Sequence, residues 1–404
     1  MNFLNEVVMA YPGAISFGPG RPLESLFDVR SALAQVDGYA AAIAESVGTE
    51  QVYGQLGQYG ETHGFIRDEI ARYLRNDEGL DVVASDILVT VGCQEAMLIL
   101  LIALFDPARD VLLIADPAYV GMTGPATMLG IPVRPVPQTL GGLDPEEVGR
   151  AAAAVRAEGR VPRALYHVPT FNNPLGTVMP LDARRRLLEI AGEHDLLVFE
   201  DNAYGAFAYD AEPPPALASL DRDGRVVYLG SFAKTIFPGL RIGFLVYRRH
   251  DDAVMAALGR VKSFTTVNTS PLMQAVVGGI LRKNEYSLRK LVEPKLAQYR
   301  AQRDQMLASL SAHIPAGWGV TWNRPGGGFF LAVTLPFDFD DECLRACAQD
   351  YKVICTPMRY FTSTQLWRNV IRLSFSYVAP HDIDQGVASL ARFVDARRPR
   401  TQGR

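Results

Sequence analysis

One stretch of the chain, Gly230-Ser231-Phe232-Ala233-Lys234-Thr235-Ile236-Phe237-Pro238-Gly239-Leu240-Arg241-Ile242-Gly243, gathers an amine, a guanidinium and a small hydroxyl among glycines. Apolar runs at 226–229 and 242–247 flank it and read as buried strands, so Lys234 sits on the connection between them. Its amine can form a Schiff base with a carbonyl once burial or a nearby cation lowers its pKa. Arg241 is a permanent cation suited to a phosphate dianion, and Ser231 offers a hydroxyl to the same anion. An aldehyde that carries a phosphate is pyridoxal 5′-phosphate (PLP). Ser-x-x-Lys alone reads more readily as a solvated loop; the Pro-Gly-Leu-Arg-x-Gly that follows turns the balance toward PLP.

Other residues add to this chemistry. Asp201 follows the apolar run 196–199, where a carboxylate is costly unless paired. A protonated pyridine nitrogen is such a partner and makes the ring an electron sink. Tyr204, three residues on, suits a phenolic oxygen; a turn or helix-cap aspartate is the plainer use of Asp201. Gly92-Cys93-Gln94-Glu95-Ala96 opens a helix after the run 87–91, a turn whose backbone N–H groups can receive an anion. Tyr119 follows the run 111–115 and could lay its ring on a cofactor ring or simply pack. Asn173 lies in Asn173-Pro174-Leu175-Gly176, a turn signal. Arg372 stands inside Val370-Ile371-Arg372-Leu373, where a buried guanidinium requires an anion, from a ligand or from a structural ion pair.

The elements needed to position these residues alternate. Strands are expected near 15–17, 87–91, 111–115, 131–136, 164–168 and 196–199, besides the two around Lys234. Helices are expected at 23–46, from Glu61 or Thr62 to 74, and at 92–105, 120–129, 145–157, 181–193, 252–263 and 271–281. A long helix over 285–310 leads into a stretch of different texture. There, short strands (320–321, 329–334, 353–355, 370–374) alternate with helices at 340–349 and 381–394. The tail beyond Arg397 is expected to be disordered.

The ordered set Tyr59, Gly92-Cys93-Gln94, Tyr119, Asn173, Asp201, Tyr204, Ser231/Lys234/Arg241 and Arg372 resembles the class I/II aminotransferases of the fold-type I PLP superfamily, over almost the entire chain. Pro-Gly-Leu before Arg241 looks most like the kynurenine/2-aminoadipate branch. The resemblance implies an α/β fold: a large PLP-binding domain (47–284) with a mostly parallel sheet between helices, and a smaller α+β domain (285–404) that includes the interdomain helix. Residues 1–46 would join the small domain and the site entrance. It implies a homodimer with sites at the subunit interface, acting on an L-amino acid and a 2-oxo acid by double displacement.

The resemblance also implies roles. Lys234 would carry PLP and act as general base, Asp201 would pair the ring nitrogen, and Tyr204 and Asn173 would bind the phenolic oxygen. Tyr119 would stack on the ring. Gly92, Cys93 and Gln94 would hold the phosphate with Ser231, Arg241 and the partner's copy of Tyr59, for which Tyr53 competes. Arg372 would take the substrate carboxylate, with Asn173, Gly18 and Arg21 nearby. Cys93 stands where the family usually has serine or glycine, which keeps a backbone cradle but loses a hydroxyl. Two segments, Gly92–Ala96 and 201–209, look like actinobacterial transaminases that make non-proteinogenic amino acids for peptide antibiotics, of the dihydroxyphenylglycine or enduracididine type.

Composition sets outer bounds. The net charge of −4 over 404 residues argues against a nucleic-acid surface. No run approaches the apolar length of a membrane span, and no signal peptide is expected. Four cysteines without a CxxC pair fit a cytoplasmic protein without disulfides. Cys343 and Cys347 share the spacing of metal ligands, but with no histidine nearby no metal is expected. Two other functions stay open: a different PLP reaction on this fold (lyase, oxidase or decarboxylase), and a PLP-binding regulatory module. The second would need a DNA-binding domain, for which the segment before Ile15 leaves no room.

Overall fold

The computed structural model describes residues 2–249 and 251–399. Its first nine strands are β1 (Ile15–Ser16), β2 (Ile87–Thr90), β3 (Asp110–Asp116), β4 (Val133–Thr139), β5 (Gly142–Leu143), β6 (Val161–His167), β7 (Leu197–Asp201), β8 (Val226–Ser231) and β9 (Gly243–Tyr247). Eight of them form one sheet in the order β2-β9-β8-β7-β6-β3-β4-β5. The pairs from β8 through β7, β6 and β3 to β4 are parallel. β9 runs against both of its neighbours.

Period-two alternation sorts the strand residues onto two faces. Val89, Leu113, Leu165, Val198, Tyr228 and Val246 enter one core. Leu88, Leu112, Ala164, Phe199, Leu229 and Leu245 enter the other. Because both faces are covered, these strands read as continuous apolar runs. Helices Val29–Val47, Pro145–Ala157, Leu181–Glu193 and Pro271–Lys283 supply the first core, and helices Gly92–Leu104 and Val120–Met128 the second. The parallel arrangement brings Asp116, His167, Asp201 and Ser231 to one edge of the sheet, the edge where open α/β sheets bind ligands.

Five strands follow: β10 (Thr321–Trp322), β11 (Phe330–Thr334), β12 (Val353–Ile354), β13 (Thr356–Pro357) and β14 (Val370–Ser374). Four of them make an antiparallel sheet in the order β10-β11-β14-β13. The remaining one, β12, pairs in parallel with β1, so the start of the chain is tied to its last third. Helix Leu288–His313 runs between the cores: Leu288 packs under the large sheet, while Val292, Tyr299, Met306 and Leu310 pack with β11 and β14.

The structure corrects several element boundaries. The helix expected from Glu61 or Thr62 begins at Arg67, because the chain first turns through Gly64 at φ 87°. Arg67 ties that turn, bonding the Gly64 carbonyl and Glu61, each at 2.6 Å. The long helix begins at Leu288 rather than 285, since Glu285 and Tyr286 have φ of 54° and 57° and Ser287 caps it. Helices Asn2–Ala10 and Thr49–Gly57 were not expected. Of the tail beyond Arg397, residues 400–404 lie outside the described residues.

Candidate active site

A cavity of about 720 Å³ opens where the carboxyl edge of the large sheet meets β11, β14 and the first residues after β1. Lys234, Asp201, Tyr204, Asn173, Tyr119, Ser231, Arg241 and Arg372 all line it. So do Cys93, Gln94, Gly18 and Arg21.

Lys234 reaches into the cavity from the loop after β8, its Nζ donating to the Gly20 carbonyl at 2.8 Å. Burial, then the Arg372 charge, push its amine down to about 8. That is the condition for a nucleophilic amine. Asp201, at the end of β7, is 6% exposed. Its Oδ2 accepts from the Tyr166 hydroxyl at 2.7 Å, while its Oδ1 is buried without a hydrogen-bond partner. Burial raises the carboxyl to about 6.

The guanidinium of Arg372 comes from the middle of β14 and is 3% exposed. It lies between two aromatic faces, 4.3 Å from the Phe330 ring centre and 4.6 Å from that of Phe361. It donates to Asn173 Oδ1 at 2.8 Å and to the Gly18 carbonyl at 2.6 Å, and its Nε has no partner. Burial lowers it to about 10. No carboxylate pairs with it among the described residues, so the structural ion pair is not what holds it.

At the other end, Gly92 opens helix Gly92–Leu104 with φ 71°, and a Cβ there would lie 2.6 Å from Arg241 Nη2. The glycine lets the guanidinium lie against the helix N-terminus. Arg241 Nη2 donates to the Val91 carbonyl at 3.5 Å. Burial pushes the Cys93 thiol up, so no thiolate opposes an anion here. Gln94 turns its amide to the Gly121 carbonyl.

The family model for aminotransferase class I and II matches residues 28–390. The chain belongs to the class I and II aminotransferases. It is 44% identical to the (S)-3,5-dihydroxyphenylglycine transaminase of Amycolatopsis orientalis, over 98% of this chain and 91% of that protein. The kynurenine aminotransferase of Pyrococcus horikoshii superposes with a TM-score of 0.86 at 28% identity, over 97% of this chain and 94% of that one. The α-aminoadipate aminotransferase of Thermus thermophilus, complexed with N-(5′-phosphopyridoxyl)-L-leucine, gives 0.80 at 28%, over 96% and 94%.

This aminotransferase uses PLP, and its cavity fits that cofactor. The orphaned Asp201 Oδ1 suits a ring N–H, and the Gly92 turn beside Arg241 suits a phosphate. Two expected residues are not in the cavity of their own chain. Tyr59 is 78% exposed and its hydroxyl has no partner among the described residues; Tyr53 is bound locally, donating to Asp37 at 2.7 Å.

Several participants escaped the sequence reading. Tyr166 reads as one more core aromatic of β6, yet its hydroxyl holds Asp201. Phe330 and Phe361 read as core and enclose Arg372. The Gly20 carbonyl that accepts from Lys234 is backbone and carries no side-chain signal. Val8 and Met9, from the unexpected first helix, also line the cavity.

Proposed function

We propose that this aminotransferase acts on arylglycine-type amino acids and the matching 2-oxo acids, as a cytoplasmic homodimer with sites completed by the neighbouring subunit. The observation that carries the site is the meeting of an amine lowered to about 8, an unpaired buried carboxylate oxygen and an aromatic-clasped arginine in one cavity. The substrate class rests on the 44% identity with a dihydroxyphenylglycine transaminase.

When bound, PLP supplies an aldehyde and an electron-withdrawing ring. Lys234 would hold the cofactor through its Nζ, and the same amine, when free, would take the proton from the substrate Cα. Asp201 Oδ1 keeps the ring nitrogen protonated, with Tyr166 fixing the other oxygen. Tyr204 and Asn173 serve the phenolic oxygen, and Tyr119 stacks on the ring. The Gly92–Gln94 turn, Ser231 and Arg241 take the phosphate. Arg372 grips the substrate carboxylate and so orients the Cα–H bond. Gly18 and Arg21 flank the substrate; the Arg21 guanidinium rests on the Tyr377 ring at 4.5 Å.

The dimer is supported by an apolar surface. Tyr59, Phe264, Val267 and Leu272 are 78%, 89%, 49% and 46% exposed. The Tyr59-Gly60 turn lies against this region: a Cβ on Gly60 would meet Pro271 at 3.2 Å. We place Tyr59, rather than Tyr53, at the partner's phosphate. No described helix is long and apolar enough to cross a membrane, and all four cysteines are free. The division at 46/47 and 284/285 fits the two cores that helix Leu288–His313 joins.

The test is a half-reaction. Holoenzyme mixed with 3,5-dihydroxyphenylglycine and no acceptor should release 2-oxo acid in proportion to enzyme, then stop, without ammonia. Sustained ammonia release would indicate a lyase or oxidase instead. Faster release from aliphatic donors than from arylglycines would end the substrate assignment.

A further inference from the structure

Next to the phosphate-binding turn, outside the cavity lining, a charge pair is buried that none of the roles above uses. Lys262, in helix Asp252–Thr265, is 0% exposed, and Glu95, in the first turn of helix Gly92–Leu104, is 8% exposed. The Lys262 Nζ lies 3.0 Å from Glu95 Oε2. Burying such a pair is costly in desolvation, so its retention calls for a task.

The bonds around it indicate one. Glu95 Oε2 also accepts from the Val91 N–H at 2.6 Å. The Val91 carbonyl accepts from Arg241. The peptide groups on both sides of Val91, just ahead of Gly92, are therefore held by Glu95 on the N–H and by Arg241 on the carbonyl. Glu95 Oε1 accepts from the Thr266 hydroxyl, which in turn accepts from Lys262 Nζ at 3.0 Å. The carboxylate is saturated and cannot swing toward the turn. Close packing adds to the fixity: a Cβ on Gly243 would sit 2.6 Å from the Cys93 nitrogen.

Electrostatics gives the second half. A carboxylate one turn inside a helix N-terminus repels any anion bound at that terminus. Lys262 is the cation in contact with it. We propose that Glu95 and Lys262 are positioning residues for the cofactor phosphate: Glu95 holds the Gly92–Gln94 turn in shape, and Lys262 cancels the charge Glu95 would otherwise set against the dianion. This rests on the assignment of that turn to the phosphate.

The experiment compares PLP with pyridoxal, which lacks the phosphate. Holoenzyme loaded with either is dialysed against falling free ligand, and the retained chromophore gives both dissociation constants. The readout is the preference for PLP over pyridoxal in wild type, Lys262→Met, Glu95→Gln and the double variant. Lys262→Met should lower the preference at least about tenfold, by exposing the dianion to an uncompensated carboxylate. The double variant should recover to within about threefold of wild type, because both charges are gone. A pair that merely ties two helices together would weaken both ligands alike, and that result, or an unrecovered double variant, overturns the proposal. Should Lys262→Met fail to fold, Glu95→Gln decides alone. Its preference for PLP should exceed that of wild type, because Lys262 is then an unopposed cation beside the dianion, and an equal or lower one refutes the role. A wild type that holds PLP and pyridoxal equally would end the phosphate assignment itself, a different outcome from equal losses in the variants.

Discussion

Asp201 shows what a buried charge implies at the scale of one residue. Its carboxyl is raised to about 6, chiefly by burial. A carboxyl raised in the folded state costs stability as pH climbs from about 4 to about 6, and the full cost persists above that window. Asp201→Asn should therefore stabilise the cofactor-free protein at pH 8, by on the order of 2–3 kcal/mol, while cutting turnover roughly 10²-fold or more. Thermal melts paired with single-turnover rates check it; near-normal turnover would remove Asp201 from its role. Lys234 gives a pH signature of opposite sense. With its amine lowered to about 8, capture of PLP by cofactor-free enzyme should rise with pH and level off above that value. A flat profile from pH 7 to 9 would contradict this. Arg372→Lys keeps the charge and loses the fork, so both half-reactions should slow by roughly 10²-fold with cofactor absorption retained. Single-turnover rates with donor and with acceptor test it; unchanged rates end the carboxylate role. Asp201 and Arg372 were legible in the sequence because each ends or interrupts an apolar run, and Lys234 because it lies between two such runs ahead of Pro-Gly-Leu-Arg-x-Gly. Tyr166 and Phe330, in strands, and Phe361, in a short helical turn, were not, because a buried aromatic has the same signature whether it packs a core or holds a functional group.

At the scale of elements, the site exists because parallel strands share one carboxyl edge. The strand–helix alternation was legible because both faces of the large sheet are buried and its strands read as unbroken apolar runs. What sequence did not disclose was where the chain departs from regular dihedrals, as at Gly64, Glu285 and Tyr286. Gly92 is such a point with a task attached. Alanine there would have to adopt φ 71° and crowd Arg241. The conformational cost alone is about 1 kcal/mol, and the displaced guanidinium adds to it. Gly92→Ala should remain folded but lose PLP on dialysis roughly tenfold more readily. Retention equal to wild type would show that the turn does not bear the phosphate.

For the whole molecule, the apolar surface around Tyr59 and Phe264 sets the expectation. Phe264 is 89% exposed in the single chain. A charge placed there would be buried against apolar surface in a dimer, so Phe264→Glu should dissociate it. Sedimentation velocity should show a dimer for wild type and a shift to monomer with loss of bound PLP for the variant. A wild-type monomer that is active at assay concentration would refute the shared site. The sequence supplied Tyr59 through its motif but gave no sign of Phe264, since a lone aromatic at a helix end carries no pattern of its own.

The residues just after β1 bear on all of this. The Gly18 carbonyl already accepts from Arg372 and the Gly20 carbonyl from Lys234. The chain's own backbone thus occupies one donor of Arg372 and one of Lys234, so a carboxylate bound by Arg372 would exchange with the Gly18 carbonyl as well as reach the open Nε. Such an exchange favours an anion, whose charge-assisted bonds are roughly twice as strong as those of the neutral carbonyl it displaces. A neutral analogue gains no such advantage over the Gly18 carbonyl. With Arg372 as the carboxylate site proposed above, the segment after β1 would act as a charge filter: an amino-acid amide of the right shape should compete poorly with its free acid, and one that competes equally would show that the backbone is not the rival.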